Sequence, residues 1–193
     1  MSNLTAGAGE RAAASDEALM EAYARCGDST AFEQLYDRWS DRLFGYLARA
    51  VDRATAEELF QTLWMRLHAA RRSYGSGRAV APWIFAIAAN LRREEWRRRR
   101  RHPEEPHAVP PPSGAGASAS AEEEALAVER DRVVRKALTA LPEAQRDVIE
   151  LHRFEHLSFP EIAEALGEGV EAVKSRAFRG YKTLKVLLVE MRP

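Results

Sequence analysis

A chain cannot pack what it does not have, and the stretch HPEEPHAVPPPSGAGASASAEEE, residues 102–124, has almost nothing to bury. It is rich in Pro, Gly, Ser and Ala, and from residue 103 onward its charge consists of five glutamates with no Lys or Arg. Too little apolar surface is available there to offset the entropy of ordering a backbone, so the stretch reads as a flexible linker. On both sides of it apolar residues recur at helical spacing, and nowhere is there convincing period-two alternation. The pattern predicts an all-α protein of two small helical domains joined by a flexible linker. The boundaries are an unordered N-terminus over residues 1–15, a first domain over 16–102, the linker over 103–121 and a second domain over 122–193.

In the first domain Phe32, Leu35, Tyr36, Trp39, Leu43, Tyr46 and Leu47 mark one amphipathic helix. A second is expected from Thr55, an N-cap with Glu58 three residues on, and ends at the turn-rich SYGSG. Its apolar residues Leu59, Phe60, Leu63, Trp64, Met65 and Leu67 occupy more than one face, which fits either a partner-binding surface or a helix buried on both sides. Pro82 suits the first turn of a third helix, which carries Trp83, Ile84, Ile87, Ala88 and Leu91 into the basic run Arg92, Arg93 and 97–101. Guanidiniums beside Trp83, Asn90 and Trp96 suit a nucleic-acid surface, with phosphates giving affinity and the aromatics and amide holding unstacked bases. The plain alternative is a basic helix end with Trp83 in the core.

Periodicity returns at Glu122 and starts afresh at Pro142. In SFPEIAEALGEGVEAVKSRAFRGYKTLK, residues 158–185, Ser158 and Glu161 have capping-box spacing, and Gly167 stands where a helix end wants positive φ. A helix over 159–166 is therefore followed, after a very short turn, by one lined by Val170, Val173, Ala177, Tyr181, Leu184 and Leu188. Small Ala163, turn Gly167 and apolar Val173 form the signature of a helix-turn-helix. The charges agree with this, because Glu161, Glu164 and Glu168 have no base among them, whereas Lys174, Arg176, Arg179, Lys182 and Lys185 face only Glu171. A second helix entering the major groove meets a polyanion, so Lys174, Ser175, Arg176 and Arg179 are directed at DNA.

Overall charge is silent on partners, since 29 basic and 29 acidic residues cancel. One cysteine, Cys26, leaves no internal disulfide and no multi-Cys metal site; it is expected to be semi-buried. His152 and His156 are four apart but lack any accompanying metal motif, so no metal and no cofactor is expected. No phosphate loop, dinucleotide motif or nucleophile elbow is present, so the protein is not expected to be an enzyme. The absence of an apolar run of membrane length and of a leader predicts a cytoplasmic protein without membrane insertion.

Taken in order, these segments resemble the extracytoplasmic-function class of the bacterial sigma-70 family, from about Asp16 to Leu188. AFEQLYDRWSDRLFGYLAR is similar to the opening helix of the family's region two and AEELFQTLWMRLHAA to its polymerase-binding helix. APWIFAIAANLRREEWRRRRR resembles the helix that melts and reads the promoter's minus-ten element. LPEAQRDVIELHRFEHLSFPEIAEALGEGVEAVKSR resembles region four, which reads the minus-thirty-five element. The sequence departs from the usual pattern at Thr62, at residues 79–82, and at Gly169, Glu171 and Ala172.

The resemblance implies an RNA polymerase sigma factor that directs promoter-specific initiation, is stress- or signal-responsive and is held by an anti-sigma factor. It implies core RNA polymerase binding through Glu57, Glu58, Gln61, Leu63 and Trp64. Minus-ten recognition falls to Arg78, Trp83, Asn90, Arg93 and Arg97, with the loop over 73–80 capturing the opened strand. Minus-thirty-five recognition falls to Glu171, Ala172, Lys174, Ser175, Arg176, Arg179 and Lys182. The alternative reading is a helix-turn-helix regulator acting without core polymerase.

Overall fold

The computed structural model describes residues 14–101 and 121–191, so all but the last residues of the expected unordered N-terminus and of the expected linker lie outside the described residues. The described elements are α1 (Asp16–Cys26), α2 (Ser29–Ala48), α3 (Arg53–Ala70), a 3-10 turn (Arg71–Ser73), α4 (Val80–Arg101), α5 (Ala121–Thr139), α6 (Glu143–Arg153), α7 (Phe159–Leu166) and α8 (Val170–Glu190). No strand occurs among the described residues, and no helix among them is long and apolar enough to cross a membrane.

Helix α1 is an element the sequence reading passed over. Ser15 accepts a hydrogen bond from the Ala18 amide at 3.2 Å, Asp16 and Glu17 place negative charge on the first turn, and Gly27 closes the helix at φ 70°. Leu19, Met20 and Tyr23 are its buried face. Cys26 ends this helix and is exposed rather than semi-buried, because the buried stripe has turned away by its last residue. The N-cap of α3 also differs from expectation. Asp52, not Thr55, caps it: the Asp52 carboxylate accepts from the Thr55 amide at 3.0 Å and from the Thr55 hydroxyl at 2.8 Å. Arg99 adds a third hydrogen bond to it at 3.0 Å. Burial alone would raise the Asp52 carboxyl, but these donors outweigh it and hold the group at about 2.

The two halves are in contact. One apolar cluster runs from Leu19 and Met20 through Leu43, Tyr46 and Phe85 to Leu151, Ile162 and Val173. Each such large side chain removed from water contributes about 1.5–3 kcal/mol. Helix α4 is the hinge of this arrangement, packed on α2 and α3 on one side and along α7 on the other. A second cluster of Leu138, Leu141 and Ile149, with Val134, Leu184 and Leu187, ties α5 and α6 to α8. At the crossing of α6 and α8 a Cβ on Gly180 would lie 2.7 Å from Ile149 Cδ1 and 3.2 Å from Gln145 Cβ. Glycine is what permits the two helices to approach that closely.

Candidate nucleic-acid interface

The turn between α7 and α8 is built as its residues dictate. Ser158 and Glu161 form the full capping box, with the Ser158 amide donating to Glu161 Oε2 at 2.8 Å. Gly167 ends α7 at φ 66°, its amide donating to the Glu164 carbonyl at 3.2 Å and the Glu168 amide to the Ala163 carbonyl at 2.9 Å. Ala163 and Val173 are buried beneath this turn. The packing fixes the rotation of α8, so that Glu171, Ala172, Lys174, Ser175, Arg179 and Lys182 are all exposed and Arg176 is half-buried. Lys174 pairs with Glu171 at 2.8 Å on the exposed surface. Arg176 is held from behind by Glu168 at 2.5 Å.

The residues singled out on and before α4 are scattered by comparison. Trp83 is only 7% exposed and meets Tyr74 edge-on with centroids 5.3 Å apart, so its ring is a core side chain in this arrangement and not an open platform. Asn90 and Arg97 are exposed, and Asn90 borders a shallow groove with Arg66, Ala69, Ala70 and Ile87. Arg93 is half-buried, reaching Asp147 at 3.8 Å and Glu168 at 3.5 Å. Arg78 pairs with Glu164 at 2.9 Å, while the Tyr74 hydroxyl donates to its backbone carbonyl. The loop itself is tied to α1, with the Ser76 hydroxyl and the Gly77 amide donating to Glu21 Oε1 at 2.6 and 2.9 Å.

The basic run expected to coat nucleic acid is largely engaged within the protein. Arg92 is 3% exposed and donates to Glu150 at 2.5 Å, with Asp147 3.5 Å away and the Tyr46 ring 4.2 Å beneath it. Burial opposes its charge, but Glu150, Tyr46 and Asp147 more than compensate and keep the guanidinium charged. Asp147 is pushed above the usual carboxylate range by burial, with Arg92 pulling the other way. Arg98 and Arg99 both hold Glu95, and Arg100 lies over Trp96 at 4.2 Å.

On α3, Glu57, Glu58 and Gln61 are exposed, with Glu57 paired to Arg53 at 2.9 Å. Leu63 and Trp64, expected beside them on a docking surface, are buried instead, Trp64 edge-on to Phe32 at 5.5 Å and to Phe60 at 6.1 Å. Met65 is the exposed apolar residue of this helix, at 71%. The two-faced apolar pattern is therefore mostly core, with one wet residue.

Sequence reasoning overlooked the residues that join the halves: Arg42, Arg49, Asp147, Glu150 and Glu155. A signal existed, since Asp147 and Glu150 interrupt an otherwise apolar run of Val148, Ile149 and Leu151. His152 has a structural task, its Nδ1 bonding the Leu157 carbonyl at 2.9 Å and its ring stacking on Phe159 at 4.6 Å. No group of three or more His, Cys, Asp or Glu that could hold a metal occurs among the described residues.

Two family models match: sigma-70 region 2 over residues 35–102, and sigma-70 region 4 over residues 131–184. The RNA polymerase sigma factor CarQ of Myxococcus xanthus is 33% identical over 168 residues, covering 86% of this chain and 94% of that protein. The chain belongs to the extracytoplasmic-function class of the sigma-70 family. It is thus an RNA polymerase sigma factor, a transcription-initiation factor that works with core polymerase at promoter DNA. The RpoE factor of Cereibacter sphaeroides is likewise 33% identical, over 82% of this chain and 87% of that one. The fold is that of two solved structures. The sigma factor RpoE of Bartonella quintana, in complex with the anti-sigma factor NepR, gives a TM-score of 0.68 at 23% identity over 83% of this chain and 98% of that one. CnrH, in complex with the cytosolic domain of CnrY, gives 0.67 at 24% over 91% and 97%. Region 2 of the family thus takes in α2 from residue 35 onward with α3 and α4, and region 4 takes in α5 from residue 131, α6, α7 and α8 as far as residue 184.

Proposed function

We propose that this sigma factor divides promoter reading between two units, residues 16–102 and 122–193, with the linker between them setting their reach. The observation that carries the assignment is the one-sided cationic face of α8, held toward solvent by the Gly167 turn and by buried Val173. Lys174, Arg176, Arg179 and Lys182 neutralise phosphates of the minus-thirty-five element, and Glu171, Ala172 and Ser175 meet base edges from the helix N-terminus. Asn90, Arg93 and Arg97 with Arg78 grip the opened minus-ten strand, and Trp83 serves only if its pocket against Tyr74 opens. Core polymerase docks on Glu57, Glu58 and Gln61 of α3, with Met65 the apolar contact in place of buried Leu63 and Trp64.

The chain performs no bond chemistry itself, since its task is to place polymerase and stabilise a melted strand. Its place is the cytoplasm, where promoters and polymerase are. A restraining anti-sigma partner is supported by the similar fold of a factor solved with one.

Run-off transcription with bacterial core polymerase and fragments of the source genome tests the reading. Discrete transcripts that start only in its presence are expected, and Glu58→Arg with Gln61→Ala should abolish holoenzyme formation on gel filtration while the fold is kept. A protein that binds duplex DNA but never polymerase would instead be a helix-turn-helix regulator.

A further inference from the structure

An open groove of about 430 Å³ lies between α3 and α4, lined by Arg66, Ala69, Ala70, Ile87 and Asn90. Three of the five are apolar, and the polar groups come one from each helix. Asn90 of α4 supplies an exposed amide. Arg66 of α3 supplies a guanidinium fixed in place, because it reaches across to Glu94 of α4, with Nη1 donating to Oε1 at 2.8 Å and Nη2 to Oε2 at 2.7 Å.

As a brace between helices this pair is weak. Its side chains are 44% and 49% exposed, where solvent screens an ion pair and little stability results. What the two-pronged grip does is set direction. A guanidinium has five N–H donors, and Glu94 takes two of them, which leaves the rest for a guest on a plane that no longer turns. The hydrogen bond from Arg66 also holds the Glu94 carboxyl below the usual carboxylate range, so the acid stays ionised. An acid on a helix face that grips DNA repels phosphate unless it is matched, and Arg66 matches it.

We propose that this groove takes one thymine of the opened minus-ten strand, read by Arg66 and Asn90, with Glu94 as the residue that positions Arg66. Thymine is the base whose edges suit the lining. A keto oxygen accepts from Arg66, the ring N–H donates to the Asn90 side-chain oxygen, and the methyl lies against Ala69, Ala70 and Ile87. Adenine offers no keto oxygen, and cytosine and guanine bring no methyl to the apolar lining. The proposal rests on the reading of α4 as the minus-ten helix, and it adds a base contact from α3.

The test uses holoenzyme and a promoter recovered by run-off transcription, with its minus-ten element randomised, and the templates that yield transcripts are sequenced. The unaltered chain should favour thymine at one position about tenfold. Arg66→Ala should erase that preference there and leave the other positions as they were. Arg66→Lys keeps the charge but not the fork and should lose it as well, whereas Glu94→Gln, a weaker holder of Arg66, should reduce it in part. On the unaltered chain, replacing that thymine by deoxyuracil removes only the methyl and should weaken open-complex formation about fourfold.

A pair that merely braced α3 against α4 would change every position alike and lower the melting curve with them. Such a uniform loss, the absence of any thymine preference, or one that survives Arg66→Ala overturns the proposal; transcripts that still depend on the protein then keep the sigma-factor reading. The deoxyuracil arm needs no variant, so it decides even if one fails to fold: equal open-complex formation on both templates also overturns the proposal. If no transcript depends on the protein, both readings fall.

Discussion

Helices α4 and α8 are both rich in basic residues, yet the structure treats much of the one differently from the other. Along α4 three of the cations turn inward, Arg92 under Glu150 and Asp147, Arg93 between Asp147 and Glu168, and Arg99 on Glu95 and Asp52, while Arg97, Arg98, Arg100 and Arg101 stay exposed. Along α8 they stand clear of the body, apart from Arg176 on Glu168 and Lys174 on its own neighbour Glu171. A basic sequence is therefore not one thing. Where carboxylates lie across an interface, the cations become part of the fold; where the neighbours are solvent, they remain available to a polyanion.

The sharpest way to break this contrast is Arg92→Ala, which leaves Glu150 and Asp147 buried with only distant partners. The expected loss is about 3 kcal/mol, seen as a melting temperature lower by roughly 10 °C. An unchanged melting curve would mean that α4's arginines are no more structural than those of α8. Next comes Gly180→Ala, which touches α8 from beneath rather than on its exposed cationic face: the new methyl meets Ile149 and should cost about 1–3 kcal/mol. Its thermal stability should drop while its salt-dependent DNA binding, measured well below the melting point, keeps its slope.

Asp52→Ala should remove about 1 kcal/mol by uncapping α3. Because the Asp52 carboxyl is held at about 2 against an ordinary 3.8, its contribution is complete above pH 3.8 and fades as pH falls toward 2. Urea melts of both proteins should therefore differ at neutral pH and converge in acid. The smallest effect belongs to Lys174→Ala on α8, which should leave the melting curve in place and reduce the salt slope of DNA binding by about one. A substantial stability loss there would erase the distinction between the two helices.

The helix-turn-helix was legible in the sequence because its parts are local. A capping box, a glycine at φ 66° and a helix over 159–166 are decided within about ten residues, and α7 spans Phe159–Leu166. The docking of the halves was not legible, since it depends on residues such as Arg49 and Glu155 that are far apart in the chain and bland in isolation. Trp83 and Trp64 failed for the same reason. An aromatic on a helix reads equally as core or as surface until Tyr74 or Phe32 is placed against it. Helix α1 escaped notice because its stripe of Leu19, Met20 and Tyr23 is short and follows an Ala/Gly/Ser-rich start.

The tether from Glu21 to Ser76 and Gly77 bears on timing. Because a carboxylate on a neighbouring helix already fixes that turn, with Glu17 accepting from the Val80 amide where α4 begins, the loop is moulded before anything reaches it. On the proposed reading an incoming strand would meet a pre-shaped socket and not a slack rope, the conformational search having been completed when the chain folded. Capture by such a loop would be governed by how often a base presents itself, and loosening Glu21 would slow engagement even if every contact in the final complex stayed the same.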